Sequence, residues 1–231
     1  MTIGIIQPGR LGDVIICLPI AKYYADRGHE VVWPMFTSIA HMVREVVDYV
    51  TLLPVVEDVY RAVDQARDLL YDQNVDRVID IAATFPGSEC TDEYVRCGDG
   101  LGAETFDIFK YRLAEVPLEE KWKLSLKRDL RKEEALYQAY TGIKEYVVTS
   151  LSCSKGIAKV VLDVGSKNII EMNTNHNIFH WITILERAKG IVCVESAVSN
   201  LVEQLQIPCK KVLIKKPDGR LPVLKGGWEI I

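Results

Sequence analysis

The chain has 231 residues, 48% of them hydrophobic and 26% charged, with a formal net charge of −4. That composition excludes a disordered chain, and the acidic balance argues against a general nucleic-acid coat while leaving a local basic face open. No apolar run reaches the roughly 18 residues a membrane span requires, and the N-terminus lacks a basic segment ahead of an apolar one, so neither a span nor a signal peptide is expected.

The alternation of elements begins at once. Residues 3–7 read as a strand, 14–27 as a helix stopped by Gly28, 30–33 as a strand and 39–47 as a helix. A short strand over 51–55 follows, then a helix over 58–71 with Val59, Ala62, Val63, Ala66, Leu69 and Leu70 on its apolar face, then a strand over 77–83. Strands and helices alternating at this spacing predict βαβ units and a parallel sheet. The polar stretch 84–102, with Gly87, Gly98, Gly100 and Gly102, is too long for an ordinary connection and reads as a functional loop.

Residues 115–142 carry Glu119, Glu120, Lys121, Lys123, Lys127, Arg128, Asp129, Arg131, Lys132, Glu133 and Glu134, and read as a solvated, partly helical connector. A boundary near residue 120 divides the chain into domains 1–120 and 121–231. The second domain restarts the alternation: strands over 145–151, 159–163 and 168–171, a helix over 178–189, a strand over 191–194, a helix over 197–206 and a strand over 211–214. Cys17, Cys90, Cys97, Cys153, Cys193 and Cys209 form no CxxC pair and read as free thiols in a reducing, cytoplasmic compartment. His176 and His180 lack further ligand-type neighbours at metal-site spacing, which favours a structural role.

Three strand-to-turn junctions could carry chemistry. In the first, the strand over 3–7 ends in Pro8-Gly9-Arg10-Leu11-Gly12-Asp13. Gly9 and Gly12 permit close approach of a ligand, free amides at the helix start can receive an anion, and Asp13 can act as a general base. Asp13 is equally at home as a first-turn acid facing the helix dipole. In the second, Val194-Glu195-Ser196-Ala197-Val198-Ser199-Asn200 turns from strand to helix, and Ser196, Ser199 and the amides make a seat for a diphosphate or else an ordinary cap without an in-register box partner. The third, Thr149-Ser150-Leu151-Ser152-Cys153-Ser154-Lys155-Gly156, offers Ser152, Ser154 and Lys155 to a phosphate, or is a plain polar turn; it is not a Walker loop.

In this order the stretches resemble the heptosyltransferase family of glycosyltransferases. Gly12-Asp13-Val14-Ile15 followed by Leu18-Pro19 is similar to the family's first strand-helix signature; Leu185 to Ala197 with Asn200, Ile207 and Pro208 is similar to its C-terminal stretch. The resemblance implies an α/β protein of GT-B type: two Rossmann-like domains facing across a cleft, here with a reduced C-terminal domain. It also implies a nucleotide-diphosphate sugar as co-substrate, held mainly by the C-terminal domain, and no other cofactor. Position by position, Asp13 matches the catalytic base, and Glu195 and Ser196 match an acidic-hydroxyl pair at the donor site. Gly12, Ser152, Ser154, Lys155, Ser199 and Asn200 complete the donor set, and Arg10, Thr84 and Ser88 fall on the acceptor side. Two departures stand out, Ala197 for the usual Gly and Asn200 for the usual His. The segment from Lys155 to Ala158 is also too short for a crossover helix, which predicts a hairpin or a lost helix.

No DxD motif sits in a suitable loop, so metal-independent transfer is expected. The acceptor is left open between a saccharide and a hydroxylated base in DNA. The DNA variant draws on two basic runs, Lys121, Lys123, Lys127, Arg128, Arg131, Lys132 and Lys210, Lys211, Lys215, Lys216, Arg220, Lys225. A non-catalytic nucleotide-binding module is the other alternative. An NAD-dependent dehydrogenase is disfavoured because the first turn lacks GxGxxG spacing.

Overall fold

The computed structural model describes residues 1–58, 61–82, 105–140, 145–153, 156–157, 168–215 and 221–231. The chain divides into two units, Met1–Lys127 and Arg128–Ile231. In the first, β1 (Thr2–Ile6), α1 (Leu11–Ala25), β2 (Glu30–Phe36), α2 (Thr37–Arg44), β3 (Thr51–Val55), α3 (Ala62–Asp72) and β4 (Arg77–Asp80) alternate as expected. The strands form a parallel sheet in the order β3-β2-β1-β4. β1 is central, so Ile3, Ile5 and Ile6 are all buried. α1 is buried from Asp13 through Ala21, which is why its sequence is apolar on every face rather than in a stripe.

β2 runs further than residues 30–33. Its ladder with β1 ends at the pair Gly4 and Val32, so Pro34 lies beyond that ladder and its missing N–H leaves no β1 partner unmet. The strand over 77–83 is shorter than expected, ending at Asp80. A helix that the sequence pattern did not reveal, α4 (Phe106–Leu113), and a 3₁₀ turn at Leu118–Trp122 complete the unit. The solvated connector expected from residue 115 is corrected here. Lys121 is fully buried against Asp107, Tyr49 Oη donates to the carbonyl of Ser125, and the Lys127 N–H donates to Val46 O at 2.8 Å, so the chain through Lys127 packs on the first unit.

The second unit contains α5 (Leu130–Tyr140), β5 (Val147–Ser150), β6 (Ser152–Cys153), β7 (Gly156–Ile157), β8 (Ile169–Glu171), α6 (Ile182–Glu186), β9 (Gly190–Val194), α7 (Ala197–Gln204), β10 (Lys210–Ile214) and β11 (Trp228–Ile230). Its parallel sheet has the order β11-β10-β9-β5-β8. β6 and β7 form a short antiparallel hairpin, and β8 pairs parallel to β5; the strand over 159–163, and with it the hairpin expected between the first two strands of this unit, lies outside the described residues. The single helix expected over 178–189 is a 3₁₀ turn, Ile178–Trp181, followed by the five residues of α6. The split follows from burial of Phe179 and Trp181 and from the Lys189 N–H, which leaves the helix for Tyr146 O at 2.9 Å.

Arg128 opens this unit and is clamped into it. Its Nε and Nη2 donate to both oxygens of Glu133 at 2.8 and 2.5 Å, and Nη1 and Nη2 reach Glu186 at 2.7 and 2.9 Å. Glu133 is 1% exposed and also accepts from the amide and hydroxyl of Thr183. Hydrogen bonding to Glu133 holds the Arg128 guanidinium still more firmly protonated. Removing the guanidinium strands a buried carboxylate, so Arg128→Leu is expected to cost about 2–3 kcal/mol in urea unfolding, the partial exposure of Arg128 being allowed for. Lys132→Ala, which breaks an exposed contact with Asp129 at 3.9 Å, serves as the control at within about 0.5 kcal/mol. Equal midpoints for the two variants would deny the clasp any net effect.

Candidate functional site

Each parallel sheet reverses its direction of winding once, and ligands of open α/β sheets bind at such points, beyond the carboxyl ends of the strands. In the first unit the reversal lies between β1 and β4, in the second between β5 and β9. Both strand-helix junctions singled out from the sequence fall at these two places.

At the first, Gln7 leaves β1 and Ile81 leaves β4. Gly9 passes so close to Phe36 that an added Cβ would lie 2.4 Å from its ring. Arg10 takes the N-cap position of α1 with φ 58° and ψ 101°, a conformation costly for a residue with a side chain. Asp13 therefore does not occupy the cap. It stands at the third helical position, 9% exposed. Behind it lies Lys110 of α4, with no exposure at all. The Lys110 ammonium donates to the side-chain oxygen of Gln7 and to Ile81 O at 2.7 Å, and lies 3.8 Å from Asp13 Oδ1. Cys17 is buried beneath the same junction, and burial pushes its thiol up to about 12, leaving it protonated and inert.

At the second, Glu195 leaves β9 half-buried, its amide bonded to Ile214 O at 3.3 Å, and Ser196 takes the N-cap of α7. Ser199 is not turned outward for a phosphate. It is 1% exposed, and its hydroxyl accepts from the Ser196 N–H at 2.9 Å and donates to the Ser196 carbonyl at 2.8 Å, acting as an in-register partner of the cap. Asn200 is buried one turn in, at 6% exposure. Ser152 is exposed on the β6–β7 hairpin, just past the end of β5. Gly12 is half-buried on the first turn of α1. Thr84, Ser88, Ser154 and Lys155 lie outside the described residues.

Two features were missed from the sequence. Lys110 and Asp107 are charged positions on the buried side of α4, a departure from amphipathic pattern that could have marked them. Glu203, on α7, accepts from the Lys225 N–H at 2.6 Å and the Trp228 indole N–H at 2.7 Å, and so fastens β11 to the sheet. Several side chains of the basic runs that pointed toward DNA are partnered. Lys121 is buried with Asp107, Lys123 pairs with Glu120, Lys210 pairs with Glu229, and Lys211 is buried against Trp228. Among the described residues no helix is long and apolar enough to cross a membrane.

No protein-family model matches the chain, and no curated sequence is significantly similar to it. Solved structures are similar. A glycosyl transferase family 9 protein from Veillonella parvula aligns with all of this chain and 85% of its own, with a TM-score of 0.62 at 10% identity. ADP-heptose LPS heptosyltransferase II of E. coli aligns with all of this chain and 90% of its own, at a TM-score of 0.60 and 11% identity. E. coli heptosyltransferase WaaC, solved with ADP-2-deoxy-2-fluoro heptose, gives a TM-score of 0.53 and 17% identity over all of this chain and 93% of its own. The chain thus shares the α/β fold, with its parallel sheets, of heptosyltransferases and a family 9 glycosyl transferase.

Proposed function

We propose that the chain is a glycosyltransferase that moves a sugar from a nucleoside-diphosphate donor to an acceptor hydroxyl. The observation that carries this reading is the position of Asp13: a nearly buried carboxylate at the switch point of the first sheet, beside a fully buried ammonium. A structural first-turn acid needs only the helix dipole and solvent; a buried counter-ion is more than that role requires. Asp13 takes the acceptor proton as the acceptor oxygen bonds to the sugar carbon and the bond from that carbon to the diphosphate oxygen breaks. Arg10, with Thr84 and Ser88, lies on the acceptor side.

The donor diphosphate belongs at the start of α7. Glu195 takes the nucleotide sugar's hydroxyls and Ser196 its phosphates, and Gly12, Ser152, Ser154, Lys155 and Asn200 complete the set. Amides and hydroxyls there would stabilise charge on the departing diphosphate without a metal. Ser199, spent on the cap, supports Ser196 rather than meeting the donor. Free buried thiols at Cys17 and Cys193 agree with work in a reducing compartment such as the cytoplasm.

A melting-temperature panel of ADP, UDP and GDP with ADP-heptose, UDP-glucose and GDP-mannose tests the reading. One nucleotide class at about a hundred times its Kd should raise Tm by several degrees. No rise with any of them at millimolar concentration would sink the proposal. A rise without any release of nucleoside diphosphate from the sugar would mark a binding module instead.

A further inference from the structure

We infer that Lys110 is the positioning residue of the Asp13 base, holding a nearly buried carboxylate ionised and fixed where the acceptor's proton must be taken; this rests on the reading of Asp13 given above.

An ammonium has three donors. Lys110 gives one to the Gln7 side-chain oxygen and one to Ile81 O, which come from the ends of β1 and β4. Both acceptors are neutral, so they anchor the group without cancelling its charge. A fully buried cation needs a countercharge, and Asp13 Oδ1 at 3.8 Å supplies it: too far for a direct hydrogen bond, near enough for strong pairing in a site of 0% and 11% side-chain exposure. The other titratable groups of this junction are Asp107, Cys17, Tyr111 and Arg10. Asp107, one turn earlier on α4, pairs with Lys121 at 2.6 Å. Cys17 on α1 and Tyr111 on α4 are held neutral by burial, and the Tyr111 hydroxyl donates to Ile16 O at 3.0 Å. Arg10, the remaining cation of the junction, is exposed.

The chemical consequence is specific. Burial alone would drive Asp13 toward its protonated form, which cannot accept a proton. Lys110 offsets that drive. Its double anchorage also ties the carboxylate to the ends of the two strands that flank the switch point, so Asp13 cannot drift with α1 alone. When the acceptor proton arrives, Lys110 is left without its countercharge, which favours release of that proton to solvent after transfer.

The test is carboxyl-¹³C aspartate NMR on the full chain, the Asp13 resonance being assigned by its loss in Asp13→Asn. In Lys110→Met the protonation midpoint of Asp13 is expected to rise by at least one pH unit over wild type; equal midpoints overturn the inference. Should Lys110→Met fail to fold, a milder substitution takes its place. Lys110→Gln, which keeps a hydrogen-bond donor for Gln7 and Ile81 but no charge, is then read in the same way, and an unchanged Asp13 midpoint overturns the inference equally. In turnover of the nucleotide sugar that stabilises the chain, the acidic limb of the kcat profile should move upward with the Asp13 midpoint in Lys110→Met, which loss of packing would not produce. Full turnover by Asp13→Asn with the midpoints still coupled would instead remove the base reading and leave the pairing standing.

Discussion

Asp13→Asn is expected to lose at least about a hundredfold in release of nucleoside diphosphate from its sugar, while keeping its fold and its donor-induced rise in Tm. The substitution keeps the shape of the side chain but removes its charge and its capacity to accept a proton, and a positioned base is worth about 10²–10⁴ in rate. Donor binding should survive because Asp13 is not among the groups assigned to the donor, and the substitution leaves all of those groups in place. A drop of a few degrees in Tm should accompany the loss of activity, since Lys110 loses its countercharge while keeping its bonds to Gln7 and Ile81. Steady-state kinetics with the donor at saturation measure the effect on kcat, and turnover within threefold of wild type would remove Asp13 from the base role. Loss of the donor-induced Tm shift in the same variant would mean that Asp13 binds rather than reacts.

What could be seen in the sequence depended on whether the pattern was local. β1 and β9 are short apolar runs that break at polar or Gly-bearing turns before a helix, and a buried parallel strand entering a helix leaves that trace in any single stretch of chain. So Asp13, Glu195 and Ser196 could be placed at junctions before any coordinates. α4 could not, because Asp107 and Lys110 interrupt its buried side and mimic a solvated helix. Lys121 was lost in a run of charges whose neighbours are exposed, although it is itself fully buried. β11 has three residues and is held by Glu203, a pairing that depends on the fold and on nothing nearby in sequence. The same is true of the candidate site. Its visible half is one strand-helix turn; its hidden half, Lys110 with Gln7 and Ile81, exists only where the sheet brings the ends of β1 and β4 together.

The largest stability effect is expected at the pair of Asp107 and Lys121. Neither side chain has any exposure; Lys121 Nζ lies 2.6 Å from Asp107 Oδ2, and Oδ1 accepts from the Thr105 hydroxyl. Two charges taken out of water repay their desolvation largely through each other, so removing one leaves the other buried without this close countercharge. Asp107→Leu should therefore cost about 3–5 kcal/mol, seen as a lower urea midpoint with unchanged slope. Asp107→Leu with Lys121→Met removes both charges and should recover most of the loss, because apolar groups of similar volume replace a buried pair at little net cost. A single variant within about 1 kcal/mol of wild type would mean that water reaches the pair. If the double variant restores stability and Asp13 keeps its protonation midpoint, then α4 needs its inner pair only to fold, and the charge that reaches the candidate site is that of Lys110 alone.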